Sequence, residues 1–154
     1  MLSLTIHGAR GSVPATGKNF SKYGGNTTCF EIETESSQIF IDAGTGFSST
    51  NINEGTKRVC LLFTHLHHDH LQGLLFNPQL FTRNREIIVS SALMNGATLK
   101  QYLSKYFSPP FFPPSVFSYV NCLKFSDFEH FIKGCNLDGI VTSISLQHPG
   151  GAIG

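Results

Sequence analysis

Several features are scarce or missing in this sequence, and each absence excludes a class of protein. Charged residues make up only 14% of the chain and the formal net charge is +1. No window carries a dense Lys/Arg cluster, which argues against a broad nucleic-acid or anionic-membrane surface. No apolar run reaches the length of a membrane span. The segment MLSLTIHGARGS at the N-terminus lacks the basic start of a signal peptide, so we expect a cytoplasmic protein without a membrane anchor.

The cysteines lack the Cys-x-x-Cys pairing that is typical of many structural zinc sites and redox motifs. The four residues are Cys29, Cys60, Cys122 and Cys135, and two of them fall within segments predicted to be strands. Buried, reduced thiols are therefore expected, which again favours the cytoplasm.

What the chain does contain is typical of one folded domain over residues 1–154. Hydrophobic residues make up 40% of the 154-residue sequence, including 14 Phe, which is enough for a substantial core. Alternating or continuous apolar runs predict strands at 2–7, 27–33, 38–42, 58–64, 86–91 and 139–147. Helical spacing predicts a helix over 92–106 and a short one that Pro78 interrupts. This order of elements predicts a mixed α/β layered domain.

The segment FTHLHHDHLQG carries the strongest chemical pattern, directly after the apolar run 58–64. In an extended turn, residues two apart can point to the same side, so His65 and His67 can bind one metal ion. Asp69 and His70 can then bind a second ion about 3.5–4 Å away, with a hydroxide shared between the two. We assign Asp69 a catalytic role as well, since it would orient that hydroxide. His68 is expected to point away from the ions, as an outer-shell or surface residue.

These motifs also resemble a known family. FTHLHHDHLQGL resembles the signature of the metallo-β-lactamase superfamily. In the same order, GARGSVP, YGGNTTC, IDAGTG and QHPGGAIG resemble segments of its phosphodiesterase-like branch, which is related to RNase Z and to PhnP-type enzymes. The resemblance implies an αββα sandwich and two zinc ions, with manganese or iron as alternatives. It implies first-site ligands His65, His67 and His148, second-site ligands Asp69 and His70, and Asp42 as an outer-shell carboxylate that holds the histidine loop.

The family pattern continues beyond the segment HPGGAIG. By the resemblance, a bridging Asp and a last His of the second site would follow it, so the chain is expected to form the first half to two-thirds of the sandwich. Such a piece would expose a sheet face and an edge, which favours association. Three explanations remain open: truncation, completion by a second chain or a homodimer, or a relative that binds a single metal. We favour the first two.

Two further segments have both a binding and a structural interpretation. Arg10, Ser12 and Asn26 lie in glycine-rich loops that could bind an anionic substrate or simply form tight turns. The Phe- and Pro-rich segment 106–119 could cover a substrate or pack on the core.

The function predicted from these residues is metal-dependent hydrolysis of a small phosphodiester or related ester. Nucleic acid is an unfavoured substrate because the chain has no strong basic balance. A thioester hydrolase of the glyoxalase II type has the same ligand string and remains an alternative. A non-catalytic metal-binding or interaction module that needs a partner chain is the second alternative.

Overall fold

The fold is built around one six-stranded sheet, seen in a computed structural model that describes residues 2–113, 117, 119–137 and 141–154. The strands follow one another in the sheet in the order of the sequence. They are β1 (Ser3–Gly8), β2 (Cys29–Glu33), β3 (Ser37–Ile41), β4 (Arg58–Leu62), β5 (Ile87–Ser90) and β6 (Leu123–Phe125). The helices are α1 (Gln79–Thr82), α2 (Gly96–Tyr106) and α3 (Phe128–Gly134), and a hairpin of β7 (Ser145–Leu146) and β8 (Ala152–Ile153) follows.

The sheet changes from antiparallel to parallel along its width. β1, β2 and β3 pair antiparallel, β1 with β2 across the long loop 9–28 and β2 with β3 across the short turn 34–36, whereas β3, β4, β5 and β6 pair in parallel. Parallel pairing needs crossover connections, and the segments after β3, β4 and β5 provide them. The chain that leaves the C-terminal end of β4 therefore crosses one end of the sheet, where ligand sites of α/β sheets commonly lie.

The larger core lies on the face of the sheet that bears Phe40 and Leu61. Both side chains are fully buried, and they pack with Phe47 and with Leu99 and Leu103 of α2. The side-chain period of two in a strand sends alternate residues of β3 and β4 to this face. Burial of these large side chains anchors the loops after β3 and β4, each burial contributing about 1.5–3 kcal/mol.

The opposite face carries a smaller core, and there one prediction is wrong. Cys60 of β4 and Cys135, at the end of α3, form a disulfide bond, whereas Cys29 and Cys122 are free and buried. The bond can form because α3 packs on this face of the sheet against β5, with Phe131 in the same cluster as Cys60 of the neighbouring β4. The reduced-thiol argument for the cytoplasm therefore does not hold, and the compartment stays a prediction. No helix among the described residues is long and apolar enough to cross a membrane.

The predicted elements differ from the structure mainly at their ends. α2 begins only at Gly96, because the Asn95 side chain accepts from the backbone N–H of Thr98 and caps the helix there. As predicted, a short helix is interrupted at Pro78: a 3-10 turn covers Leu74–Phe76, and the separate helix α1 begins directly after Pro78. Of the strand predicted over 139–147, only Ser145–Leu146 pairs, and residues 138–140 lie outside the described residues.

An edge of the sheet stays open on the face of the smaller core. Leu2, Leu4 and Ile6 are 73%, 64% and 59% exposed. An apolar groove of about 530 Å³ runs from this edge to α3, with Ile32 and Ile39 among its walls. The described residues thus form one six-stranded sheet and a two-stranded hairpin, and they cover the apolar face of the sheet only in part.

The aromatic segment 106–119 divides between the core and the surface. Phe107 is fully buried, and Phe112 and Phe117 pack against the larger core. Phe111, by contrast, is 81% exposed. The interpretation that this segment packs on the core therefore holds for part of it. Residues 114–116 and 118 lie outside the described residues.

Candidate metal centre

Two glycines allow the histidine loop to pack against the turn after β3. A Cβ on Gly73 would lie 1.9 Å from the carbonyl oxygen of Gly44, so only glycine permits this approach. The backbone N–H of Gly73 donates to Ala43, and that of Ala43 donates to the carbonyl of His70. These bonds fix the 3-10 turn His68–His70 beside the carboxyl end of β4.

Three imidazoles from two distant segments converge at that end of the sheet. One ring nitrogen each from His65, His67 and His148 lies within 4.8 Å of the others. The ring of His148 is centred 4.5 Å from that of His65 and 4.7 Å from that of His67. The N–H of Ile153 donates to the carbonyl of Thr64. This bond ties the β7–β8 hairpin, whose turn carries His148, to the end of β4.

Asp42 is the centre of a hydrogen-bond network beneath these rings. Its side chain is buried, its Oδ1 accepts from the N–H of Thr64, and its Oδ2 accepts from the Thr64 hydroxyl at 2.7 Å. The same Oδ2 lies 2.7 Å from Nδ1 of His70, and the Thr64 hydroxyl lies 3.0 Å from Nδ1 of His65. A carboxylate only accepts, so Nδ1 of His70 carries the proton and its Nε2 presents a lone pair. With its hydroxyl proton committed to Asp42, Thr64 accepts from His65, which leaves Nε2 of His65 free in the same way.

Asp69 and His70 form the second pair of candidate ligands. Oδ2 of Asp69 lies 3.5 Å from Nε2 of His70, and the backbone N–H of Ser12 donates to that oxygen at 2.7 Å. The His70 ring is centred 4.0 Å from that of His65. The loop after β1 therefore holds a carboxylate beside the three-histidine cluster.

The site shifts pKa values in different directions. Burial, and after it the charge of the nearby His70, lower the pKa of His65 to about 4, so His65 is neutral near pH 7. Burial alone would lower the pKa of His70, but the hydrogen bond and charge of Asp42 outweigh it and raise that pKa. Burial would raise the pKa of Asp69, yet the N–H of Ser12 and the neighbouring His70 bring it below its ordinary value. A neutral imidazole and an ionised carboxylate are the forms that bind metal.

The donor set fits a metal ion of the zinc type. Three neutral imidazole nitrogens that converge from one side are a common ligand set of catalytic zinc, which keeps a fourth position open. Asp69 and His70 offer a further carboxylate oxygen and nitrogen beside the three-histidine cluster. Within the part of the chain that the structure describes, His65, His67 and His148 form the one group of three or more such ligands.

The remaining predicted residues occupy supporting positions. His68 is exposed and its Nδ1 contacts the hydroxyl of Tyr106, so it points away from the cluster. The Arg10 guanidinium donates to the carbonyl of Val13 and lies over the ring of Phe20. The Asn26 side chain donates to the His7 carbonyl and accepts from the Thr45 hydroxyl. Of the predicted anion-binding residues Arg10, Ser12 and Asn26, the structure brings only Ser12 to a candidate ligand.

Thr64 and Tyr106 are site residues that the sequence interpretation missed. Thr64 precedes the first histidine directly, so a hydroxyl next to a candidate ligand was the available signal. Tyr106 is the last residue of the predicted helix 92–106, but its contact with His68 spans 38 residues and depends on how α2 packs on the sheet. No local sequence pattern predicts such a contact.

The comparisons with known proteins bear on the fold. No family model matches the sequence, and no curated protein matches it significantly. Among solved structures, the metallo-beta-lactamase fold protein YhfI from Bacillus subtilis superposes on 99% of this chain, with a TM-score of 0.58 and 15% identity. The human tRNase Z, short form, covers 82% of this chain at 17% identity and a TM-score of 0.49, and this chain covers 42% of it.

The match to YhfI also shows how much of the length of that protein this chain spans. The chain spans 56% of the length of YhfI, and its mixed sheet, flanking helices and hairpin all lie within the superposed region. The fold that the motif resemblance predicts is thereby confirmed. This chain has the metallo-β-lactamase fold.

Proposed function

We propose that this chain provides the metal centre of a hydrolase that cleaves a phosphodiester or a related ester. The observation that carries the proposal is the convergence of His65, His67 and His148 beside Asp69 and His70. Five donors of the types that zinc prefers, gathered from two distant segments at the carboxyl end of a parallel strand, support a catalytic metal centre better than a structural one.

Each residue has a defined task in this proposal. His65, His67 and His148 would hold the first ion, and Asp69 and His70 would contribute to a second. When bound, divalent ions supply Lewis acidity that polarises the scissile bond and lowers the pKa of water. Asp69, fixed by the N–H of Ser12, would orient the attacking water. Asp42 keeps His70, and Thr64 keeps His65, in the tautomer whose Nε2 carries a lone pair for a metal ion.

The test is hydrolysis by the zinc- or manganese-reconstituted chain. Bis(p-nitrophenyl) phosphate, an acyl thioester and a chromogenic β-lactam would be assayed in parallel, and we expect the phosphodiester to be cleaved fastest. Asp69→Asn should reduce the rate more than 100-fold. The control Glu86→Gln, at an exposed position directly before β5, should leave the rate unchanged. Faster thioester cleavage would replace the substrate class, and no metal-dependent turnover of any of the three would overturn the proposal.

A second candidate function follows from the open sheet edge. The exposure of Leu4 and Ile6 favours a metal-binding module that associates with a second copy of the chain through this edge. Light scattering after size-exclusion chromatography would then give a dimer that Leu4→Lys dissociates, while Phe111→Lys, at an exposed position away from β1, does not. A monomer at every concentration would exclude this candidate.

A further inference from the structure

A second cavity adjoins the histidine cluster. It has a volume of about 330 Å³ and lies between His65 and His67 on one side and α2 on the other. We call it the α2 pocket, and its apolar and aromatic walls are Leu66, Leu93, Met94, Tyr102, Leu103 and Tyr106. Tyr106 shares a face of α2 with Tyr102 and with Leu103, because positions four and three apart in a helix lie on the same side.

The β7–β8 turn forms the boundary between the α2 pocket and the candidate ligands. A Cβ on Gly150 would lie 3.6 Å from Nε2 of His67, and one on Gly151 would lie 3.8 Å from a terminal carbon of Leu93. Both glycines have positive φ, which glycine adopts at no steric cost. The turn therefore passes between His67 and Leu93 without filling the space, so a molecule bound at the cluster has direct access to the pocket.

The chemistry of the walls excludes a second anionic group. Two histidines, His65 and His67, line the α2 pocket, but no Lys, Arg, Asp or Glu among the described residues does. Lys100 of α2 faces a different cavity on the other side of the helix. An anion moved into such surroundings loses its hydration without gaining a counter-charge, whereas an apolar group gains from leaving water.

One wall of the α2 pocket is held in place. The hydroxyl of Tyr106 contacts Nδ1 of His68, and its ring meets that of Phe107 edge to face with centroids 4.7 Å apart. Phe107 is fully buried. The ring of Tyr106 is thus fixed from both ends, and it gives the pocket a preformed aromatic surface.

We propose that the α2 pocket binds an uncharged aromatic or branched apolar group of the substrate, joined to the ester that the histidine cluster cleaves. This inference rests on the proposed function and narrows its substrate class. The volume lies at the lower end of the range for small-molecule sites, about 300–1,000 Å³, which suits a phenyl or naphthyl group. A continuous nucleic acid, with a charge at each phosphate, does not fit these walls.

Equilibrium binding separates this inference from the catalytic proposal. Methylphosphonate and phenylphosphonate carry the same anionic group, so they differ only in what can enter the α2 pocket. Titration calorimetry of the zinc-loaded chain should give on the order of 10-fold or more tighter binding for phenylphosphonate, as burial of a ring predicts. Tyr102 is half exposed, so Tyr102→Glu should fold normally, and it should abolish the preference for phenylphosphonate because the added charge repels both anions alike but disfavours the apolar ring. Tyr102→Phe should retain the preference.

The outcomes distinguish the two proposals. Equal affinities for the two phosphonates, as expected if another polypeptide segment covers the pocket, would overturn the inference, and so would a preference that survives in Tyr102→Glu. Failure of both phosphonates to bind while phosphodiesters are still hydrolysed would also reject the pocket assignment alone. A clear phenyl preference without hydrolysis of any ester would retain the pocket and reject the catalytic proposal.

Discussion

Asp42 offers the sharpest test of how this fold prepares its histidines. Its Oδ1 accepts from the N–H of Thr64 and its Oδ2 accepts from both the Thr64 hydroxyl and Nδ1 of His70. In Asp42→Asn, the Thr64 N–H still requires an oxygen at Oδ1, so the amide nitrogen must replace Oδ2. That nitrogen donates to Nδ1 of His70, and the proton of the neutral ring then sits on Nε2, where it blocks metal binding.

The expected magnitudes separate metal binding from folding. Asn tolerates the positive φ of 61° at position 42, so Asp42→Asn should cost about 1–2 kcal/mol, the difference between charged and neutral hydrogen bonds. Affinity for the second metal should fall about 10- to 100-fold, as for other outer-shell ligands. Asp42→Ala removes every acceptor and should cost about 3–5 kcal/mol, the range for breaking a buried charged pair.

Two assays measure these effects. Urea denaturation of the metal-free variants gives the free energy of unfolding, and zinc titration calorimetry gives the affinity and stoichiometry. Unchanged binding of the second zinc ion by Asp42→Asn would refute the tautomer argument. An Asp42→Ala chain as stable as the parent would refute the hydrogen-bond network itself.

Three further predictions concern stability. Replacing Cys60 and Cys135 by Ala should lower the free energy of unfolding by up to about 4 kcal/mol, from the 75-residue separation that the disulfide closes. Denaturation with and without reductant would show it, and no difference would exclude the bond. Gly73→Ala should cost about 3 kcal/mol because its Cβ would lie 1.9 Å from a carbonyl oxygen, whereas Gly134→Ala, with 3.6 Å of space, should cost nothing measurable by the same denaturation. Equal effects would contradict the packing. The lowered pKa of His65, about 4 against 6.5, means that the unfolded chain binds more protons between those values. The free energy of unfolding of the metal-free chain should therefore decrease as the pH falls through that window, and it should decrease less in His65→Gln. Parallel pH profiles of the two chains would contradict this prediction.

The sequence predicted the elements that approach the site because their signals are local. The apolar run 58–64 identified the central parallel strand, and the ligand string directly follows it. Alternation identified β2 and β3, whose pairing sends Phe40 to the core. His148 was found only through the motif resemblance, because a single histidine before Pro149 has no distinctive spacing of its own.

The missed features depend on contacts between distant segments. The pairing of Cys60 with Cys135 requires knowing that α3 packs on the face of the sheet that bears Cys60, and the seven-residue helix α3 has too short a pattern to predict. Thr64 acts through a hydroxyl whose partner, Asp42, lies 22 residues earlier. The α2 pocket depends on how the β7–β8 turn meets Leu93, and tertiary packing decides that.

Zinc binding by the histidine cluster tests the central claim most directly. Titration calorimetry of the purified chain, with X-ray absorption to identify the ligands, should show tight binding through three imidazole nitrogens. Substitution of His65, His67 or His148 by Ala should weaken that binding at least 100-fold, whereas the exposed His130→Ala should leave it unchanged. Zinc binding of unchanged affinity in any of these three histidine variants, or no zinc binding by the native chain, would contradict the account.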